Sequence, residues 1–411
     1  FQFDIHHRFS NTVKKFWPEI GSVDYYAVLL DHDRVFRGRV LLTFFGGNET
    51  FRINSLGFLH YALISVGTPS VNFLVALDTG SDLFWIPCNC TDCAPNIELH
   101  IYNPSRSLTS RNVPCVNSLC KDDCSQEDNC SYKVAYVSAN TGSSGFLVED
   151  VLHLITEDKE VNAVVMLGCG YSQTGSFLES AAPNGLFGLG LGKISVPSIL
   201  AGQGLIADSF SLCFGLDGVG RISFGDQGDT DQNVTPFEMN PMYNISVNEV
   251  YVAASMDTSF SAIFDTGTSF TYLSEPAYTS ICESFNSYVQ DSRNSRVPFE
   301  YCYTIGSDRN ISWIPTVSLT MKGGGQFPVN KPIVFISDGS DLMYCLSIIK
   351  SLDVNIIGQN FMTGHRIVFD REKLILGWKE FNCYDMNGSN TLPIKPGNSI
   401  SMNPNKYIPQ A

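Results

Sequence analysis

Two short segments of the chain each place an aspartate directly after an apolar run. The first reads Val75-Ala-Leu-Asp-Thr-Gly-Ser81 and the second reads Ala262-Ile-Phe-Asp-Thr-Gly-Thr268. Two carboxyl groups held in contact cannot both ionise cheaply, so they share one proton. The ionised partner can then take a proton from a bound water molecule. The two aspartates, Asp78 and Asp265, are therefore candidates for a site that activates water.

The residues around each aspartate indicate how the chain would hold its carboxylate. An apolar run suits a buried strand, and Thr-Gly followed by Ser or Thr suits a tight loop. Gly80 and Gly267 can turn their backbone N–H groups toward the carboxylate, and the hydroxyl groups of Ser81 and Thr268 can donate hydrogen bonds to it. The alternative is a pair of structural Asp turns. One such motif is only a hypothesis, but two support each other.

These paired motifs resemble those of the pepsin-like aspartic endopeptidases, and in particular the cysteine-rich plant branch that includes the nepenthesins. The resemblance covers about residues 58 to 383. It implies a mainly β, bilobal acid-protease fold with the active-site cleft between the lobes, and no cofactor or metal. It also implies that Asp78 and Asp265 form the catalytic dyad. The residues expected to support that dyad are Thr79, Gly80, Ser81, Thr266, Gly267 and Thr268.

The segment from Ser131 to Phe146 has two apolar stretches around a polar turn, which predicts a hairpin. By resemblance this hairpin is the flap that closes over substrate, Tyr136 is its tyrosine, and Trp85 hydrogen-bonds that tyrosine. The next residue is Val137, where the family usually has Gly, and a β-branched residue loses conformations that Gly can reach. We expect altered flap contacts from this departure. The alternatives are an ordinary surface hairpin and a tryptophan that only fills the core.

Short apolar runs punctuated by Gly, Pro, Asn and Ser predict a mainly β protein from Tyr61 onward. Gly185-Leu-Phe-Gly188 and Ile356-Ile-Gly358 each follow one of the two aspartates, which gives an internal pseudo-repeat. In the pepsin-like family that this chain resembles, such segments pass beside the catalytic loops. The predicted units are a prosegment (1–57), an N-terminal lobe (58–230), a C-terminal lobe (231–383) and a disordered tail (384–411).

Residues 1–57 carry seven Lys or Arg against six Asp or Glu, whereas the whole chain has a net charge of −15. A mildly basic leader on an acidic body indicates an inhibitory prosegment. A Lys or Arg in an acidic cleft would pair with the dyad at neutral pH and be released as the carboxylates take up protons. Arg37-Gly-Arg39 is a candidate processing point. The alternative is a solvated basic patch.

The composition narrows the class of protein. A chain of 411 residues with 44% hydrophobic and 16% charged residues is an ordered globular protein of two or three domains. Its acidic balance argues against nucleic acid as a partner and fits, weakly, a protein that meets acid. No apolar run approaches ~18 residues, so no transmembrane segment is predicted in this chain. We expect a monomer that acts on a peptide or protein substrate.

Cysteines and glycosylation sequons point to an oxidising compartment. The chain has 13 cysteines. The sequons are at Asn48, Asn89, Asn129, Asn233, Asn244, Asn310 and Asn387. We expect a secretory-pathway protein that ends in the vacuole, at the plasma-membrane surface or in the extracellular apoplast. The sequence starts at Phe1 without a signal-peptide pattern, so any signal peptide has been removed from this numbering.

Seven of the cysteines crowd between Cys88 and Cys130. A zinc or cluster site is one interpretation, but no His lies at ligand spacing, and the neighbouring sequons favour disulfides. The block resembles the insert of the nepenthesin-like branch. By that resemblance Cys302 pairs with Cys345, Cys213 pairs with Cys383, and Cys169 joins the crowded block with its connectivity open. Cys282 is left over, in a helix-like stretch where we expect a buried free thiol.

Two other functions compete with peptide hydrolysis. A catalytically weak or inactive binding or inhibitor protein can use the same scaffold, although such relatives usually lose one aspartate and both are present here. A glycosidase also uses two carboxylates, but the matching Asp-Thr-Gly loops in both halves argue against it. The sequence therefore favours an aspartic endopeptidase that is most active at acidic pH.

Overall fold

The computed structural model describes residues 2–6, 60–94, 100–120, 129–136, 141–155, 160–179, 182, 184–216, 219–240, 242–294, 299–305, 314–338, 341–381 and 383. The predicted tail and almost all of the predicted prosegment lie outside these residues. So do Val137 and the sequons at Asn48, Asn310 and Asn387. Among the other sequons, Asn89 and Asn233 are exposed, and Asn129 and Asn244 are half-buried.

The described chain is mainly β, as predicted. The strands of the first half are β1 Gln2–His6, β2 Tyr61–Val66, β3 Val71–Asp78, β4 Trp85–Asp92, β5 Arg111–Asn112, β6 Ser131–Ala135, β7 Gly142–Ile155, β8 Glu160–Thr174, β9 Leu186–Gly188, β10 Ser209–Phe214 and β11 Val219–Phe224. Those of the second half are β12 Asn233–Glu238, β13 Asn244–Val252, β14 Ala254–Met256, β15 Phe260–Phe264, β16 Thr271–Leu273, β17 Cys302–Thr304, β18 Val317–Met321, β19 Gln326–Val329, β20 Ile333–Asp338, β21 Asp341–Leu346, β22 Ile348–Lys350, β23 Ile356–Ile357, β24 His365–Asp370 and β25 Ile375–Glu380.

Helices are few in the described chain. They are α1 Val196–Gly202, α2 Ala277–Tyr288 and α3 Gln359–Met362, with 3₁₀ turns at Pro104–Arg106 and Gly175–Glu179. Helix α2 buries Ala277, Tyr278, Ile281, Cys282 and Phe285 on one face, the spacing expected of an amphipathic helix. Cys282 is a buried free thiol there, as its sequence context predicted.

A six-stranded antiparallel sheet joins the two halves of the chain. Its strand order is β1-β11-β10-β24-β25-β12. Every residue of β10 and β24 is buried, because these central strands are covered on both faces. Phe210 of β10 stacks on Phe369 of β24 with ring centroids 4.8 Å apart. The predicted boundary between the lobes, at residues 230 and 231, lies in the connection from β11 to β12.

Each half also contains a set of three strands around its aspartate. In the first half β3 runs parallel to β9, and β9 pairs antiparallel with β4. In the second half β15 runs parallel to β23, which pairs antiparallel with β16. The segments 185–188 and 356–358 thus pass beside the aspartate-bearing strands. The pseudo-repeat seen in the sequence is therefore a repeat of structure.

Five disulfide bonds join described cysteines: Cys88–Cys169, Cys90–Cys93, Cys120–Cys130, Cys213–Cys383 and Cys302–Cys345. Both pairs that the resemblance implied, Cys213–Cys383 and Cys302–Cys345, are present, and Cys169 joins the crowded block through Cys88. Cys115 is disulfide-bonded as well. Within the described ranges, no group of three metal-ligating side chains comes together. None of the helices described is both long enough and apolar enough to cross a bilayer.

Candidate active site

The first aspartate lies at the end of strand β3. The strand stops because Asp78 is followed by the tight turn Thr79-Gly80-Ser81, whose polar groups fold back on the carboxylate. The Gly80 N–H donates to Asp78 Oδ1 at 2.8 Å, and the Ser81 hydroxyl donates to Oδ2 at 2.5 Å. The Leu189 N–H donates to the Asp78 carbonyl oxygen at 2.9 Å. Backbone and side chain of this aspartate are therefore both fixed.

The second aspartate is held by the same pattern of donors after strand β15. The Gly267 N–H donates to Asp265 Oδ1 at 2.7 Å, and the Thr268 hydroxyl donates to Oδ2 at 2.7 Å. The Asp265 N–H donates to the Ile357 carbonyl oxygen at 3.1 Å. In each half, one carboxylate oxygen binds a glycine amide and the other binds a hydroxyl.

The two loops bring the glycine-bound oxygens together. A Cβ atom added to Gly80 would lie 3.0 Å from Asp265 Oδ1 and 3.1 Å from Asp78 Oδ1. One added to Gly267 would lie 2.6 Å from Asp78 Oδ1 and 3.1 Å from Asp265 Oδ1. A single atom at either position would thus touch both carboxylates. A side chain at Gly267 would displace the carboxyl groups, and one at Gly80 would make a tight contact with them.

Two threonines connect the loops across the cleft. The Thr79 N–H donates to Thr266 Oγ1 at 3.1 Å, and the Thr266 N–H donates to Thr79 Oγ1 at 3.0 Å. Each hydroxyl also donates across the cleft, Thr79 to the Phe264 carbonyl and Thr266 to the Leu77 carbonyl, both at 3.0 Å. Both threonines are fully buried. The four bonds fix one aspartate relative to the other.

The surroundings of the pair favour a shared proton. Burial, and then the negative charge of Asp265, raise the pKa of Asp78 to about 7, against the lowering effect of its bonds to Ser81 and Gly80. Asp78 is 2% exposed, whereas Asp265 is partly exposed. Such a pair titrates as a unit and keeps one proton through the acidic range.

The predicted flap residues meet above this pair. The Trp85 indole N–H donates to the Tyr136 hydroxyl oxygen at 2.8 Å. Both rings pack edge-on against Phe177, with centroid distances of 5.1 Å from Trp85 and 5.2 Å from Tyr136. Burial, followed by the nearby charge of Asp78, raises the pKa of Tyr136 well above its ordinary value, so this phenol stays neutral. The tip of the predicted hairpin, residues 137–140, lies outside the described residues.

Comparison with known proteins agrees with this geometry. Residues 60–226 match a family model described as xylanase inhibitor N-terminal, and residues 241–380 match one described as xylanase inhibitor C-terminal. Aspartyl protease family protein 1 of Arabidopsis thaliana is 51% identical over 447 residues, which cover 100% of this chain and 87% of that protein. The chain belongs to the pepsin-like aspartic protease family of plants.

The chain is also similar to a second plant aspartic proteinase and to a solved structure of a plant protein. Aspartic proteinase nepenthesin-2 of Nepenthes gracilis is 25% identical over 352 residues, covering 78% of this chain and 77% of that protein. The crystal structure of basic 7S globulin from soybean superposes with a TM-score of 0.64 at 21% identity, covering 79% of this chain and 93% of that chain. At that identity the likeness to the globulin establishes the fold alone.

Some residues of this aspartic protease site have no motif of their own in the sequence. Gln359 donates from its backbone N–H to the Thr268 carbonyl at 2.9 Å and from its side chain to the Thr266 carbonyl at 2.6 Å, which braces the second loop from behind. Its position directly after Ile356-Ile-Gly358 was the available signal. Phe177 lies in a 3₁₀ turn far from any motif, and no sequence signal marked it.

Proposed function

We propose that this protein is an aspartic endopeptidase that hydrolyses peptide bonds at acidic pH. One observation supports this most strongly: Asp78 Oδ1 and Asp265 Oδ1 face the same point, while the outer oxygen of each carboxylate is occupied by a hydroxyl donor. The inner oxygens are thereby directed at the place where a water molecule must be activated.

The chemistry follows from one proton shared by two carboxyl groups. The ionised partner takes a proton from a water molecule, and the resulting nucleophile attacks the carbonyl carbon of the peptide bond. The protonated partner hydrogen-bonds the carbonyl oxygen and gives it a proton, which yields a tetrahedral gem-diol and leaves one proton on the dyad. As the gem-diol collapses, one of its hydroxyl groups gives a proton back to the dyad, the C–N bond breaks, and the dyad delivers a proton to the leaving nitrogen, which restores the singly protonated pair. No covalent enzyme intermediate is needed in this sequence.

The substrate is expected to be an extended peptide or protein segment lying between the two lobes. An extended chain offers backbone N–H and C=O groups for hydrogen bonds, while alternate side chains occupy pockets on either side. Trp85 and Phe177 are fully buried behind Tyr136, which is the half-buried ring of the three, so we expect Tyr136 to contact the substrate and to favour an apolar side chain beside the scissile bond.

Cleavage of a fluorogenic peptide library between pH 3 and 7 tests the proposal. Asp78→Asn and Asp265→Asn should each lower kcat/KM by roughly 10²- to 10⁴-fold, because an amide can neither share the proton nor act as a base. A statine-type peptide should inhibit the wild type. Asp257→Asn is a matched control, since Asp257 is exposed and carries the same change of charge. Undiminished cleavage by either dyad variant would refute the proposal.

A second function is favoured by a separate observation. The matching family models are described as xylanase inhibitor domains, so the fold also serves as a binding scaffold. On this alternative the protein holds a partner protein without cleaving it. Assays of peptide turnover and of xylanase inhibition on the same preparation separate the two, because an inhibitor would remain fully active in the Asp78→Asn variant.

We also propose that the N-terminal segment acts as an inhibitory prosegment and that the protein passes through the secretory pathway as a monomer. Strand β1, which pairs with both β11 and β2, attaches the start of this segment to the body, and the disulfides suit an oxidising compartment. N-terminal sequencing after acid treatment tests the first point. An unchanged Phe1 in a fully active protein would exclude removal of a prosegment.

A further inference from the structure

A third carboxylate lies immediately behind the first catalytic loop. Asp82 follows the dyad-supporting Ser81 and is half-buried. Its Oδ1 accepts a hydrogen bond from the Gly192 N–H at 2.7 Å. The segment that makes this bond also binds the catalytic loop itself, since the Gly190 N–H donates to the Ser81 carbonyl at 2.9 Å. The segment from Gly188 to Gly192 is thus attached to the loop at several points.

Alternate glycines make room for this carboxylate. A Cβ atom on Gly190 would lie 2.3 Å from Asp82 Oδ1, and one on Gly192 would lie 2.3 Å from Asp82 Oδ2. A Cβ on Gly188 would meet the Asp82 backbone carbonyl at 2.3 Å. The glycines of Gly188-Leu-Gly-Leu-Gly192 therefore leave the space that the Asp82 side chain occupies beside the strand end.

The second half of the molecule has no such charge at the equivalent place. The residue after Thr268 is Ser269, a neutral and fully buried side chain. The facing segment there is Gly358-Gln-Asn-Phe-Met362, which keeps only the first of the three glycines found in Gly188-Leu-Gly-Leu-Gly192. The Gln359 N–H donates to the Thr268 carbonyl at 2.9 Å, which corresponds to the bond from Gly190 to Ser81 in the first half. The backbone contacts repeat, but the charge occurs only beside Asp78.

The charge of Asp82 acts on the dyad together with a small set of neighbours. It is one of the groups that raise the pKa of Asp78, after burial and Asp265. Tyr136 faces Asp78 from the flap, and Tyr243 faces the Gly188–Gly192 segment, donating its hydroxyl to the Leu189 carbonyl at 2.7 Å. Behind Tyr243, the opposite charges of Asp208 and Arg371 lie 3.3 Å apart and largely offset each other.

We propose that Asp82 is a positioning residue of the first half-site. Its carboxylate lies among the glycines, fixes the Gly188–Gly192 segment against the catalytic loop and moves the loss of the dyad's shared proton to higher pH. The proposal rests on the proposed peptidase function. Its consequence for that function is a specific one: the negative charge at position 82 extends activity toward neutral pH.

Asp82→Asn separates charge from geometry, because the amide oxygen can still accept from Gly192 while the charge is gone. The basic limb of the kcat/KM profile should move to lower pH by roughly 0.3 to 1 unit. Asp82→Ala removes the acceptor as well, so kcat should fall below that of Asp82→Asn by roughly tenfold at every pH. Asp257→Asn, the matched charge control, should leave the profile unchanged.

A ¹³C NMR titration of the aspartate carboxyl groups gives a readout that does not depend on turnover. In Asp82→Asn the upper titration of the dyad should shift to lower pH by the same amount as the kinetic limb. If the wild type cleaves no peptide, the proposed function fails while this titration still decides the role of Asp82. An unshifted titration, or a uniform loss of activity with an unshifted limb, would overturn the inference.

Discussion

The loop from Asp78 to Ser81 holds a carboxylate that is almost completely buried beneath Tyr136, whereas the loop from Asp265 to Thr268 holds one that is partly exposed. The donors are the same in kind, a glycine amide and a hydroxyl, and the bond lengths differ by no more than 0.2 Å. The two loops differ in the residues that pack behind them. Glycines and the charged Asp82 support the first, and the amide of Gln359 supports the second.

This difference shows that geometry and electrostatics are controlled by separate residues. The donors and the crossing threonines repeat in both halves, so they fix the positions of the carboxylates. Burial, the flap and the third carboxylate occur only in the first half, so they set the proton affinity of the pair. Substitutions at equivalent supporting residues of the two loops should therefore have similar effects. Substitutions at residues found in one half only should change the proton affinity of the pair without an equivalent in the other half.

The largest expected effect comes from filling the space between the carboxylates. Gly267→Ala puts a Cβ 2.6 Å from Asp78 Oδ1, too close for any real contact, so the carboxylate must move. Gly80→Ala puts one at 3.0 Å from Asp265 Oδ1, a contact that a small shift can relieve. We expect kcat/KM to fall by about 10²-fold in Gly267→Ala and by less in Gly80→Ala.

Gly202→Ala is the matched control for this pair, because nothing lies within 4 Å of its added Cβ. Thermal melts of all three variants should show folded proteins. An equal loss in the two loop variants, or a greater loss in Gly80→Ala, would contradict the difference in spacing between the half-sites.

A smaller and symmetric effect is expected at the crossing threonines. Thr79→Val and Thr266→Val each leave one buried N–H and one buried carbonyl without the hydroxyl that satisfied them. Each change should lower the free energy of unfolding by about 1–3 kcal/mol, and the two values should agree because both sites are fully buried. Urea unfolding measures them. Thr79→Ser retains the hydroxyl and should recover most of the lost stability. Clearly different free energies of unfolding for the two valine variants would show that the two threonines do not contribute equally.

The sequence predicted the dyad and its supports because the chemistry is local. A strand, a tight turn and a hydroxyl all lie within a few residues of Asp78, and the same holds for Asp265. The resemblance also implied that the segments ending at Gly188 and Gly358 pass beside the catalytic loops, but not that they pair in parallel with the aspartate-bearing strands. Here the repeat in the sequence supplied information that one copy alone would not.

Long-range pairing was not predicted. Strand β10 pairs with β24 across about 150 residues of chain, and no local pattern in either strand names the other as its partner. The role of Asp82 was missed for a related reason. The proposed role of Asp82 depends on its contacts with Gly190 and Gly192, which form only after folding. Comparing Asp82 with Ser269 at the equivalent position was the signal that could have found it.

The dyad also makes stability depend on pH, and unequally for its two members. Because the pKa of Asp78 is raised above 3.8 to about 7, the folded protein binds more protons than the unfolded chain within that window, so stability falls as pH rises through it. Asp78→Asn removes the cost of burying this charge and should raise the free energy of unfolding at pH 7 by about 1–3 kcal/mol. Asp265→Asn removes only the charge repulsion, which is the lesser cause of the raised pKa, and should raise the free energy of unfolding by less.

At pH 3 neither variant should be more stable than the wild type, because Asp78 is then protonated in the wild type. Denaturant unfolding at the two pH values measures this, and an equal gain at both would show that the stabilisation does not come from ionisation of the pair.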